Sequence, residues 1–278
     1  MMRSKPITGR HLGWSGADLA SKPYARFWST QLAPLPAHIR HALNRGPVAE
    51  PLLPQVAAAS ENLFGTTPVL EDGFTLTADG AMQVAARTDL PGVTPAMIDW
   101  WFGWHSDSPE RYKLWHPQAH MHASWLSPPP AGTRGRARYV GYTSIVDEYI
   151  GSNLIRAAIQ FVKPATLGFT DPSLNDPEKA TIVCARTGLG DFPIDVGYLA
   201  HHVRRTATGS EMRSRFWIGG PYAAGRNSPI GAVMARAARS AMRPAEADAR
   251  ALLVHCAEEM RHLASFLPAL HAEFQFQD

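Results

Sequence analysis

The strongest constraint on this fold lies near the end of the chain, where residues 245–266 read as one long amphipathic helix. Leu253, Cys256, Met260, Leu263 and Leu267 recur at helical spacing as an apolar stripe, with Leu252, Glu259, Phe266 and Leu270 along its edge. Such a stripe must be buried against another layer. Upstream, strand-like runs supply one: 119–126, 137–148, 154–162, 180–186, and a hairpin of 195–205 and 211–218 joined through Thr208 and Gly209. A shorter helix over 230–242 and a break at Pro244 separate these runs from the long helix. Antiparallel strands followed by one long helix predict an α+β fold in which a curved sheet grips the C-terminal helix. A cavity for a small organic ligand is expected between the two.

Residues 1–90 are rich in Pro, Ala and Gly and carry only short helical patterns, at 36–44 and 55–64. A hairpin signal lies in 69–84, around Glu71, Asp72 and Gly73. This region is expected to form a small, mostly helical N-terminal part ahead of a larger domain over 91–278. Thr94 and Pro95 suit a helix start through Met97, Trp101 and Trp104, and Ser108 with Pro109 starts another that runs to about Trp115.

The net charge of +3 is too small to argue for nucleic acid, and the arginines (Arg134, Arg136 and Arg138, then Arg204, Arg205, Arg213 and Arg215) form no basic run. Met-Met-Arg-Ser-Lys-Pro leads into no apolar segment, and no stretch approaches membrane-spanning length. Cys184 and Cys256 make no CxxC, and Cys256 falls within the apolar stripe as a packing residue. A cytoplasmic protein with no membrane partner is expected.

Chemistry enters with His255 and Glu259, four residues apart on one helix face and able to grip a single ion. Glu259 lies among residues that should be buried, where an unpaired carboxylate is costly. Glu258 reads as an ordinary solvated charge. Further ligands must come from elsewhere. The candidates are His116, His120, His122 and Glu148, with Asp147 competing with Glu148. Strand alternation puts His120, His122, Ser124 and Leu126 on one face, and Val140, Tyr142, Val146 and Glu148 on another. Mixed imidazole and carboxylate donors suit zinc.

The run Trp100-Trp101-Phe102-Gly103-Trp104-His105, followed by Pro109-Glu110-Arg111-Tyr112-Lys113-Leu114-Trp115-His116-Pro117-Gln118-Ala119-His120, resembles the signature of the 2,4-diacetylphloroglucinol hydrolase family, which includes phloretin hydrolase. Glu148-Tyr149-Ile150-Gly151 and the His255/Glu259 pair follow in that family's order. The resemblance implies a helix-grip domain like that of the birch-pollen allergen and START-type lipid-transfer proteins. It also implies zinc held by His120, Glu148, His255 and Glu259, and hydrolysis of a carbon–carbon bond between an acyl group and a phenolic ring. By the same resemblance Tyr112 and His202, or the neighbouring His201, would serve the active site, and the substrate would be a small aromatic ketone. Two departures stand out: Ala123 where the family can have a substrate-contacting asparagine, and Trp217 where a second substrate-binding tyrosine would fall on the hairpin. A homodimer is implied by the resemblance alone. The alternative is a non-catalytic helix-grip carrier of a small aromatic or hydrophobic ligand, which would leave the convergence of His255, Glu259 and Glu148 without a purpose.

Overall fold

The structure is a computed structural model and describes residues 21–53, 55–64, 70–226, 229–241 and 243–276. The opening Met-Met-Arg-Ser-Lys-Pro segment, on which the reading of a missing leader rested, lies outside the described residues. Eight strands form the body of one antiparallel sheet: β1 Gly73–Leu76, β2 Ala81–Pro91, β3 His120–Trp125, β4 Thr143–Ile150, β5 Asn153–Val162, β6 Ala180–Leu189, β7 Ile194–Thr206 and β8 Gly209–Gly219. Their spatial order is β1-β2-β8-β7-β6-β5-β4-β3, and a two-residue strand, β9 (Ala224–Gly225), pairs with β7. The helices are α1 Ala37–Arg45, α2 Ala59–Phe64, α3 Pro95–His105, α4 Pro109–Trp115, α5 Pro229–Ala241 and α6 Glu246–Phe274. This is the α+β helix-grip architecture, with α6 lying across β1, β2 and β4.

Burial follows the stripe read from sequence. Leu253, Cys256, Met260, Leu263 and Leu267 are all fully buried under α6, each large aliphatic contributing about 1.5–3 kcal/mol. They pack with Val84, Ala86, Val183, Val203 and Met212 from the concave face of the sheet. The helix runs past the expected end to Phe274, through Pro268.

The opposite face of β6–β8 is covered too. There α2 and the segment around Phe169 and Leu174 bury Ile182, Cys184, Ala200 and Trp217 in a second, smaller core. Strands buried on both faces lose the simple apolar–polar alternation. That double burial shapes the site described below.

Three local expectations are corrected. The first hairpin turns at Thr77–Gly80, not around Glu71-Asp72-Gly73: Thr77 and Ala81 pair through backbone and side chain, and Gly80 adopts a φ of +87° that favours glycine. Asp72 instead accepts the Arg87 backbone N–H at 2.7 Å. Residues 135–138 form a 3-10 turn, so Val140 and Tyr142 precede β4 instead of belonging to it. Finally, β2 pairs with β8 from Ala81 opposite Gly219 to Pro91 opposite Gly209, so the boundary expected near residue 90 falls at the end of a strand within the main sheet.

Candidate metal centre

Local sequence chemistry delivers the first side chains. Thr94 caps α3 by accepting the Met97 N–H at 3.1 Å, and Ser108 caps α4 by accepting the Arg111 N–H at 3.4 Å. After α4 the chain turns at Pro117, and the His116 carbonyl accepts the His120 N–H at 2.9 Å. This brings the start of β3 beneath Tyr112. The Tyr112 and His120 rings stack with centroids 3.8 Å apart and planes 1° from parallel.

A bulge then decides which way His120 faces. His120 pairs with Glu148 and His122 with Asp147, so Met121 has no partner across the ladder. The extra residue puts His120 and Glu148 on the cavity side and turns His122 and Asp147 outward. The shared face predicted for His120 and His122 is therefore corrected. His122 lies 3.2 Å from Ser124 Oγ, and Asp147 pairs with Arg156.

Four side chains converge from β3, β4 and α6. His120 Nε2 lies 3.4 Å from His255 Nε2, 3.5 Å from Glu148 Oε2 and 3.4 Å from Glu259 Oε2. His255 Nε2 lies 3.5 Å from Glu148 Oε2 and 3.6 Å from Glu259 Oε2. His120, Glu148 and His255 form a group able to hold a metal ion, each offering an atom within 4.8 Å of the others. Donors about 2.1 Å from a tetrahedral centre are separated by about 3.4 Å, so these five separations fit a common ion. The tautomer fits as well: His120 Nδ1–H donates to the Tyr112 carbonyl at 3.0 Å, leaving the Nε2 lone pair directed at the group.

Burial and mutual charge shift every member of the group. Burial, then the charges of His255 and His116, hold His120 well below its usual value. Burial also works against a charged His255, but hydrogen bonding to Glu148 and the charges of Glu259 and Glu148 outweigh it and raise His255. Burial pushes the Glu259 carboxyl up to about 8, with Glu148 adding to the effect. For Glu148, burial is outweighed by His255, Tyr112 and His116, and its carboxyl lies below the ordinary range. Tyr112 donates to Glu148 Oε2 at 2.6 Å, and burial followed by that carboxylate keeps its phenol protonated.

Glu148, His255 and Glu259 open on a cavity, and His120 lies behind them, outside its wall; that wall includes Phe102, Trp115, Phe161 and Phe216, with His105, Ser106, Ser144 and His201 as further polar lining. Those last four were not singled out by their spacing, apart from His201 as an alternative. His201, not His202, faces this space; its Nδ1 lies 2.8 Å from Ser214 Oγ. His202 points to the other face of β7, where Nδ1–H donates to the Leu63 carbonyl at 3.2 Å and the ring packs on Phe64. Trp217 likewise lies in the outer core, and its neighbour Phe216 lines the cavity. Ala123 is buried beside Val146 and brings no polar atom. His116 stacks on His255 at 4.9 Å, and its Nε2 lies 3.2 Å from Glu258 Oε2, so Glu258 is a partner of His116 and not a free solvated charge.

Among the described residues no helix is long and apolar enough to cross a membrane. The family model of the DAPG (2,4-diacetylphloroglucinol) hydrolase PhiG domain matches residues 52–272. A 2,4-diacetylphloroglucinol hydrolase from Pseudomonas sp is 30% identical over 268 residues, covering 93% of this chain and 90% of that protein. Phloretin hydrolase from Eubacterium ramulus is 29% identical over 257 residues, covering 90% and 89%. Among solved structures, protein Ms6760 from Mycobacterium smegmatis aligns with 71% of this chain and 98% of its own at 10% identity and a TM-score of 0.36. With one family model spanning the sheet, the long helix and all four converging side chains, the chain belongs to the DAPG hydrolase family and is a hydrolase.

Proposed function

We propose that this hydrolase uses zinc and cleaves the carbon–carbon bond between an acyl group and a polyhydroxylated aromatic ring, as in 2,4-diacetylphloroglucinol to monoacetylphloroglucinol and acetate. The supporting observation is the convergence of His120, Glu148, His255 and Glu259, the last three of them on the wall of an aromatic-lined cavity. Two imidazoles and two carboxylates are a donor set that zinc accepts. When bound, the metal supplies Lewis acidity toward the ketone oxygen and toward water.

The reaction consumes one water. Its hydroxyl ends on the acyl carbon, the ring carbon gains a proton, and the bond between them breaks. Ring hydroxyls assist because the keto tautomer of such a ring is a β-diketone with the acyl group. Tyr112 serves here as a held O–H: its proton is directed at Glu148, and its oxygen is left to accept from a phenolic hydroxyl. His201 is neutral near pH 7, since burial lowers it to about 3, and Ser214 fixes its ring. It takes the role expected of His202, as a hydrogen-bonding partner for a ring oxygen. Phe102, Trp115, Phe161 and Phe216 wall the ring and displace water from it.

The test is metal analysis of protein purified without a His-tag, followed by acetate release from acetylated phloroglucinols with and without chelator. Stoichiometric zinc with chelator-sensitive acetate release is expected. Protein that takes up no zinc on reconstitution overturns the reading.

A further inference from the structure

A second cavity adjoins the first, and the two share Glu148, Ile150, Ile159, Leu199, Phe216 and Leu252 as common walls. The two differ in chemistry. The first holds the polar lining: Tyr112, His105, Ser106, Ser144 and His201 beside the His/Glu group. The second is lined by Met82, Ile155, Ala157, Leu189, Val196 and Ile218, with Asn153, Thr187 and Asp248 as its added polar residues. A ring carrying several hydroxyls belongs in the first chamber, where each oxygen can meet a partner. The acyl carbon then lies at the junction near Glu148, and whatever follows it continues into the second chamber. An acetyl group brings one methyl there and leaves the aliphatic walls wet.

We infer that the second chamber is an acyl-arm pocket, and that the preferred substrates are acylphenols bearing an unbranched alkanoyl arm longer than butanoyl. This rests on the reaction proposed above. The products are the free phenol and a carboxylate carrying the whole arm, the water hydroxyl going to the acyl carbon and the proton to the ring.

The holoenzyme is tested with acetyl-, butanoyl-, hexanoyl- and octanoyl-phloroglucinol, measuring kcat/KM for each. Burial of each methylene in an apolar pocket raises kcat/KM about fourfold until the chamber is filled. Ala157→Phe, from β5, and Val196→Phe, from β7, narrow the chamber from two different strands. In each folded variant the octanoyl-to-acetyl ratio of kcat/KM is expected to fall at least tenfold. A flat or falling series in the parent enzyme overturns the inference, as does an equal loss for all chain lengths in the variants, which would make the chamber an entrance only. Binding is read in parallel by calorimetry with alkyl phenyl ketones that lack ring hydroxyls. Affinity that rises with chain length, with no acylphloroglucinol cleaved, keeps the pocket and rejects the proposed reaction; affinity indifferent to chain length rejects the pocket.

Discussion

Replacing His201 by Gln should make the protein less sensitive to acid. Burial lowers this imidazole from 6.5 to about 3, and its ring sits between Ser214, Phe102 and Phe216, with no carboxylate among the described residues bonded to it. The folded state therefore holds it neutral, whereas the unfolded chain binds a proton near pH 6.5. Because the unfolded state binds more protons in that window, stability is complete above about pH 6.5 and is lost as pH falls toward about 3. Between pH 7 and pH 5 the fully buried His201 accounts for a loss of about 2 kcal/mol, one and a half pH units at about 1.4 kcal/mol each. Gln has no proton to gain and can still bond Ser214. Urea unfolding at pH 7 and pH 5, in chelator so that metal release is common to both proteins, measures the difference. The parent should lose about 2 kcal/mol more than His201→Gln over that interval. Equal losses would show that His201 is not held neutral by burial, and the cavity wall would have to be wetter than this packing allows.

Four further outcomes follow from the site and its supports. Glu259→Ala should lose both zinc and turnover, and a variant that retains stoichiometric metal by elemental analysis refutes the assignment. Zinc at about a hundred times its dissociation constant should stabilise the parent to urea by about 2.7 kcal/mol and leave Glu259→Ala unmoved. Tyr112→Phe removes the 2.6 Å bond to Glu148 and should lower kcat/KM roughly 10- to 100-fold, the worth of a hydrogen bond to a charged group, while zinc content stays constant. Asp99→Ala should cost roughly 3 kcal/mol or more in unfolding, because the buried Tyr139 and Thr181 hydroxyls, at 2.5 and 2.8 Å, and Arg136 all lose the same acceptor. A loss under about 1 kcal/mol would mean that these groups find other partners.

The parts of the site that could be read in the chain are those set by one local period. His255 and Glu259 are four apart on a helix whose apolar stripe is unambiguous, and Glu148 keeps phase with Val146 in β4. What escaped was parity. On β7 and β8 both faces are buried, one against α6 and the other against α2 and Phe169, so neither His201 against His202 nor Phe216 against Trp217 is decided by neighbouring polarity. The link from His116 to Glu258 escaped for another reason: it joins a turn to a helix 142 residues away, beyond the reach of any local pattern. The bulge at Met121 is the sharpest case. In a regular ladder Met121 would face Glu148, and His120 would point out of the cavity with Tyr149 opposite, since a one-residue slip exchanges the faces of a strand. Strict alternation therefore groups His120 with the wrong neighbour, His122, while the family motif selects His120. The two agree only once the extra residue is inserted. The bulge thus shapes the candidate metal centre: it aims one imidazole inward without requiring its apolar and polar neighbours on β3 to change sides.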